Sequence, residues 1–193
     1  MKWEKLGRLY HVESKVADWC VSHAANPYPE HLHDDVFRIY FSCRDATNRS
    51  SVTSIDADII KMEVLSTPAE QLLAPGEAGL FDDCGCSLGC VLNTPEGEKR
   101  IYYMGWYLTK VAPWANFIGM AVMNNRTGKF EKYSRVPIID RSGADPYSIN
   151  YPAILYMDGK YRMWFGTHLQ WENNESTSDY GMRCEVKTGE SSE

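Results

Sequence analysis

The sequence lacks any apolar run near the roughly 18 residues a membrane span requires, any basic stripe, and any dense cysteine framework. Each absence removes a class of protein. The first 25 residues carry Glu4, Arg8, His11, Glu13 and Asp18 in place of the apolar core of a signal peptide, so the expectation is a soluble, cytoplasmic protein. With 20 Lys and Arg against 26 Asp and Glu, a net charge of -6 and a pI near 5.4, little would release counterions from a phosphate backbone. Nucleic acid and membrane are therefore not expected partners, and a neutral or cationic ligand fits the overall charge better. The 6 cysteines are too scattered for a disulfide scaffold. Cys84, Cys86 and Cys90 form a C-x-C-x3-C run without a second ligand pair at metal-site spacing, and read as small buried thiols in a strand. No metal or cofactor is expected. Helical patterning is also scarce, confined to a turn or two near Ser14 to Trp19 and Pro68 to Leu73.

What is present is aromatic. The 193 residues include 12 Tyr, 6 Trp and 6 Phe, side chains that favour strands and stack on flat or sugar-like ligands. At 44% hydrophobic, the chain can bury roughly 70% of its unfolded surface as one domain, residues 1–193. The aromatics fall in a repeat. Arg38-Ile-Tyr-Phe-Ser, Arg100-Ile-Tyr-Tyr-Met-Gly and Arg162-Met-Trp-Phe-Gly each open an aromatic strand, and 38, 100 and 162 are 62 residues apart in both steps. Pro27, Gly89 and Pro152 open a preceding strand in each repeat, and Asp158-Gly159 is a strong hairpin turn. A third alternating segment follows at Ser51–Asp58, Phe117–Met123 and Tyr180–Val186, with fourth strands at Lys61–Leu65 and Lys129–Pro137. Repeats of approximately 20–66, 80–140 and 144–190, each a four-stranded antiparallel meander, predict an all-β fold, a β-propeller with about three blades in this chain. An antiparallel sandwich has no reason to repeat at constant spacing. Closed propellers use about 4 to 8 blades, which leaves open a fragment of a longer ring, self-association of a homo-oligomer that closes it, or an edge protected by the acidic tail Glu185–Glu193.

The runs Ser22–Pro27, Phe37–Asp45, Phe81–Gly85, Asp145–Pro152 and Gly159–Gly166 resemble the five-bladed propeller glycoside hydrolases of the arabinanase, levansucrase and invertase superfamily, over three blades. The resemblance implies a central funnel, a carbohydrate or glycoconjugate ligand, and catalytic carboxylates. It places a general base immediately before the first blade-opening Pro, where this chain has Asn26, with Leu88 and Tyr151 at the corresponding positions. An amide cannot serve as that base. Glu172 and Glu185 are the candidates for the family's later acidic residue.

Topology alone gathers the starts of first strands and the ends of second strands on one face of a meander. The starts bring His23, Asn26, Asp82, Asp83, Ser87, Asp145, Tyr147, Ser148 and Asn150; the ends bring Arg44, Asp45, Trp106, Tyr107, His168, Trp171 and Glu172. Asp82, Asp83 and Asp145 are the candidate acid and base residues of a glycoside hydrolase-like enzyme, or turn caps. His23, Asn26, Arg44, Asp45, Trp106, Ser148 and His168 are the candidate substrate-binding set. Arg44 and Asp45 also suit an ion pair within their loop, and Trp106 and Trp171 suit plugs between blades. A non-catalytic carbohydrate-binding or assembly module is the competing reading.

Overall fold

A computed structural model describes residues 2–12, 15–174 and 179–192, with side chains outside 172–181. The described residues form eleven strands and no helix: the helical turns suggested for Pro68 to Leu73 are irregular chain, and within Ser14 to Trp19 the described chain makes a non-helical turn at Asp18 and Trp19 closed by the Ala17–Cys20 bridge. Ser14 itself lies outside the described residues. The first blade holds β1 (Ser22–His33), β2 (Val36–Arg44), β3 (Ser50–Asp58) and β4 (Glu63–Val64), joined antiparallel in that order. The second repeats the meander with β5 (Gly85–Asn93), β6 (Lys99–Leu108), β7 (Trp114–Asn124) and β8 (Lys129–Lys132). The third contains β9 (Ile149–Met157), β10 (Lys160–Asn174) and β11 (Asp179–Ser191). The described fold is thus a partial β-propeller of stacked antiparallel blades. The segment expected as an acidic tail belongs through Ser191 to β11.

The repeat fixes how blades stack. Tyr40 and Tyr102, equivalent positions on the middle strands, are 2% and 5% exposed because each lies against the following blade: Tyr40 clusters with Leu88 and Tyr103, Tyr102 with Ile154 and Tyr161. Trp164, the third equivalent, is 37% exposed on a blade with no described sheet beyond it. The opposite face of the first blade is covered differently, by Tyr10, Val12 and Trp19 of the leading segment on Phe41 and Ile55. Burial of these aromatic and aliphatic groups, worth about 1.5–3 kcal/mol per fully buried side chain, is what holds one blade to the next.

Polar contacts set the register between blades. At the hairpin end, Glu30 accepts hydrogen bonds from Tyr40 Oη (2.8 Å), Asn93 Nδ2 (3.0 Å) and Lys99 Nζ (2.9 Å). Burial would push the Glu30 carboxyl up, but these donors prevail and hold it below its ordinary range. At the other end, Leu88 N–H donates to Ser42 Oγ (2.8 Å) and Ser50 N–H to the Cys84 carbonyl (3.0 Å). First strands break register near their starts: β1 shifts between Ser22 and Tyr28, β5 between Leu88 and Cys90, and β9 opposite Trp164 and Gly166. Such bulges swap the faces of following side chains, which is why Cys86 and Leu88 join one core and Cys90 the next. Cys86 and Cys90 are the buried strand thiols expected, whereas Cys84 is half-buried in the turn before β5, and burial pushes the Cys90 thiol up to about 11.

The first and second blades meet in parallel at Ser50 and Gly85. Gly85 has φ 137°, and a Cβ there would run into the Ser50 backbone. Gly85→Ala should therefore destabilise the fold by about 3 kcal/mol in urea denaturation, from overpacking and backbone strain together. A loss well under about 1 kcal/mol would show that the blades do not depend on this approach.

Candidate functional site

The starts of first strands, the ends of second strands and the starts of third strands of all three blades open on one cleft of about 1140 Å³. Arg44, Trp106 and His168, the same position in successive repeats, all line it, as do the equivalent Ser42, Met104 and Gly166 two residues earlier. Alternation along a strand puts both sets on one face. His23, Asn26, Ser87 and Asn150 enter from the first strands, and Asn116 and Trp114 from the start of β7. The third blade adds Tyr151, Trp164, Phe165, Met182, Cys184 and Glu185.

Bulges aim the first-strand residues. His23, Asn26 and Tyr151 have φ of 65°, 53° and 46°, a backbone region costly for residues with side chains. Asn26 and Tyr151 each precede a proline at equivalent repeat positions, so the strain recurs where the chain turns side chains toward the cleft. Leu88, the second equivalent, is buried in the core between blades.

Hydrogen bonds brace the cleft walls. Trp106 Nε1–H donates to Ser50 Oγ (2.7 Å), which contacts Ser87 Oγ at 3.3 Å, and Arg44 lies over the Trp106 ring at 5.7 Å. Asn116 N–H donates to Ser148 Oγ (3.3 Å) and its Nδ2–H to the Ile149 carbonyl (3.4 Å), the same tie one blade later. His168 is 1% exposed, its backbone N–H donates to the Ser148 carbonyl (2.9 Å), and its ring meets Trp171 edge-on at 5.4 Å. Asn150 Nδ2–H donates to His168 Nε2 (2.9 Å), which leaves the imidazole proton on Nδ1. Burial holds the His168 pKa below its ordinary value, so the ring is neutral near pH 7. Gly166 leaves the space that the Asn150 side chain fills.

Of the residues expected to bind substrate, His23, Asn26, Arg44, Trp106 and His168 line the cleft, while Asp45 and Ser148 stand behind it. Asp45 accepts from Thr47 N–H and Oγ1 (2.8 Å each), Arg49 N–H (2.9 Å) and Arg49 Nε (3.0 Å), so it holds Arg49 in the wall and is not the ion-pair partner of Arg44. Burial would raise its pKa, but those bonds outweigh burial and lower it. Ser148 is the buried hydroxyl that receives Asn116.

None of Asp82, Asp83 and Asp145 lines the cleft; each has structural partners. Asp82, 1% exposed, takes Lys132 Nζ at 2.6 Å and Tyr103 Oη at 3.1 Å on the flank of the second blade, beside a smaller depression of about 560 Å³. Asp83 accepts the Gly79 N–H at 2.9 Å in a turn. Asp145 closes a turn with Ser142 and takes Lys187 Nζ at 2.8 Å. Tyr107 packs beside Phe117, and Trp171 meets Trp114 edge-on at 5.2 Å as a plug between the second and third blades. Among the described lining residues the one carboxylate is Glu185; the Glu172 side chain lies outside the described residues.

Residues the topology argument did not reach, among them Asn116, Arg49 and Trp114, sit in the loop after the second strand or at the start of the third. That loop begins where the second strand ends, so both of its ends belong to the same face. The signal was present in the meander itself.

The role of Asp145 can be checked by pH. Lys187 beside it holds the Asp145 carboxyl below its ordinary range, so its stabilisation is present above the unfolded pKa and is lost as pH falls through the lower folded value. Asp145→Asn should melt at lower temperature than the parent at pH 7, with the gap closing below about pH 4. A variant of unchanged stability at both pH values would refute the structural account.

No family model matches the chain. It is 44% identical over 173 residues to the uncharacterized proteins Rv1502 and MT1551 of two Mycobacterium tuberculosis strains, covering 89% of this chain and 56% of theirs. The chain thus spans little more than half the length of the curated relatives it matches. Among solved structures, a family 117 glycoside hydrolase of the marine bacterium Zobellia galactanivorans superposes with a TM-score of 0.66 at 13% identity, over 96% of this chain and 57% of that one. The sucrose-6-phosphate hydrolase of Lactobacillus gasseri gives 0.62 at 14%, over 95% and 34%. At such identities the likeness is one of fold alone, a partial β-propeller of the kind these glycoside hydrolases contain.

Proposed function

We propose that this chain builds a carbohydrate-binding cleft, and that its described residues bind and orient a glycan without supplying the acid and base pair. The observation that carries this reading is the convergence of Arg44, Trp106 and His168 from successive blades on one cleft whose wall also holds Trp114, Trp164 and Phe165. Indole and phenyl faces stack on sugar rings, and neutral polar groups between them serve hydroxyls. The fold shared with glycoside hydrolases supports a glycan as the ligand class. Cleavage would require carboxylates whose environments drive their pKa values apart across the sugar. Asp82 and Asp145 are tied to lysines and Asp83 to a turn, so the expected pair is engaged elsewhere.

A glycan array tests the reading. The protein should retain at least one glycan class, and Trp106→Leu should weaken retention about tenfold or more through loss of ring contact. Trp106→Phe, which keeps a ring, should retain most of it, and Asp83→Asn should leave it unchanged. Silence across the array, or equal retention by Trp106→Leu, would defeat the proposal.

A further inference from the structure

The charges in the cleft narrow the carbohydrate. Arg49 Nε is paired with Asp45 Oδ2 at 3.0 Å, and Glu185 with Lys187 Nζ at 3.6 Å. Among the described residues no carboxylate pairs with Arg44, whose guanidinium has the Trp106 ring beneath it. The arginines that open the three repeats are all paired: Arg38 with Asp56, Arg100 with Glu98 and Arg162 with Glu190. Arg44, six residues after the first of them, has no such partner among the described residues, and it faces the cleft.

Two further cleft residues, His168 and Asn116, are each 1% exposed. His168 Nδ1 and Asn116 Oδ1 are buried without a hydrogen-bond partner among the described residues. A buried donor or acceptor left unpaired is costly, and both atoms are enclosed in the packing and not open to the cleft. Arg44, by contrast, is a planar cation in the cleft wall with no carboxylate partner among the described residues, and its guanidinium suits a bidentate anion.

Resting on the carbohydrate reading, we infer that the cleft takes a sugar bearing an anionic substituent, a carboxylate or a phosphate, with Arg44 as its charge partner. The acidity of the chain as a whole does not oppose this, because repulsion from like charges beyond about 8–10 Å is screened at physiological salt while attraction to a partner in the cleft is not.

The test is an array of neutral, uronate-bearing and phosphorylated glycans, probed at low and high salt with the parent protein, Arg44→Gln and Arg44→Lys. Acidic glycans should be retained about tenfold better than neutral analogues, as one charge-assisted contact implies. The preference should shrink at high salt, vanish in Arg44→Gln and partly return in Arg44→Lys; near-ultraviolet circular dichroism confirms that the variants fold. Whether uronates or phosphates dominate identifies the source of the anion. Neutral glycans retained as well as acidic ones, or an acidic preference that survives in folded Arg44→Gln, would overturn the inference and leave the carbohydrate reading standing. Retention of no glycan at all would overturn the carbohydrate reading, and the inference with it.

Discussion

A four-stranded antiparallel sheet has two faces and can cover neither by itself, so each blade depends on what lies to either side. The middle strand feels this most. Tyr40 and Tyr102 go from a solvated strand position to nearly complete burial because the next blade supplies a wall, and Trp164 at the same position keeps more than a third of its surface. The leading face of the first blade solves the problem with local chain, Tyr10, Val12 and Trp19, instead of a sheet. The two ends of the array are therefore unlike, and head-to-tail contact between them would first have to displace that segment.

The same stacking makes the site. Aromatic burial fixes the distance between blades, but it is non-directional and would tolerate sliding. Sliding is prevented by directional contacts at both ends of the strands: Glu30 with Lys99 and Asn93 at the hairpins, Ser42 with Leu88 and Ser50 with Cys84 at the cleft. The cleft-side ties are themselves wall residues, since Ser50 also receives Trp106 and Asn116 receives support from Ser148 and Ile149. Stability and site geometry thus share the same bonds. This is why backbone strain at His23, Asn26 and Tyr151 is held in place: each lies in a strand otherwise fixed by ladder bonds and by the neighbouring blade.

Much of this was legible in the sequence because the repeat carries position as well as type. Arg38, Arg100 and Arg162 locate the middle strands, and counting six residues onward from each reaches Arg44, Trp106 and His168 in the cleft. The carboxylates were harder to place. Asp82, Asp83 and Asp145 were gathered by proximity to strand starts, but a residue in a loop before a strand can point along the blade flank as easily as inward, and lysines distant in sequence, Lys132 and Lys187, decide the matter. No spacing rule links residue 82 to 132. Net charge is a coarser guide, because it sums surface groups that a ligand in the cleft does not meet, whereas the pairing of each cleft charge decides what remains for a ligand.

The register that made the cleft legible also defines what would extend it. Any sheet that covered Trp164 in the manner that the second blade covers Tyr40 would align its second strand with the others around the axis. The end of that strand would bring a side chain to the cleft at the position held by Arg44, Trp106 and His168. In relatives nearly twice as long as the span matched here, the chain beyond that span is where such side chains would be encoded. To the cleft, the described residues of the three blades supply aromatic surface, neutral hydrogen-bonding groups and, in Arg44, a cation with no carboxylate partner among them. Such groups suit the binding of a sugar more than its cleavage; the proton transfers of hydrolysis need carboxylates free of lysine, and a wall on the open side of the third blade is the position from which they could face the same ligand.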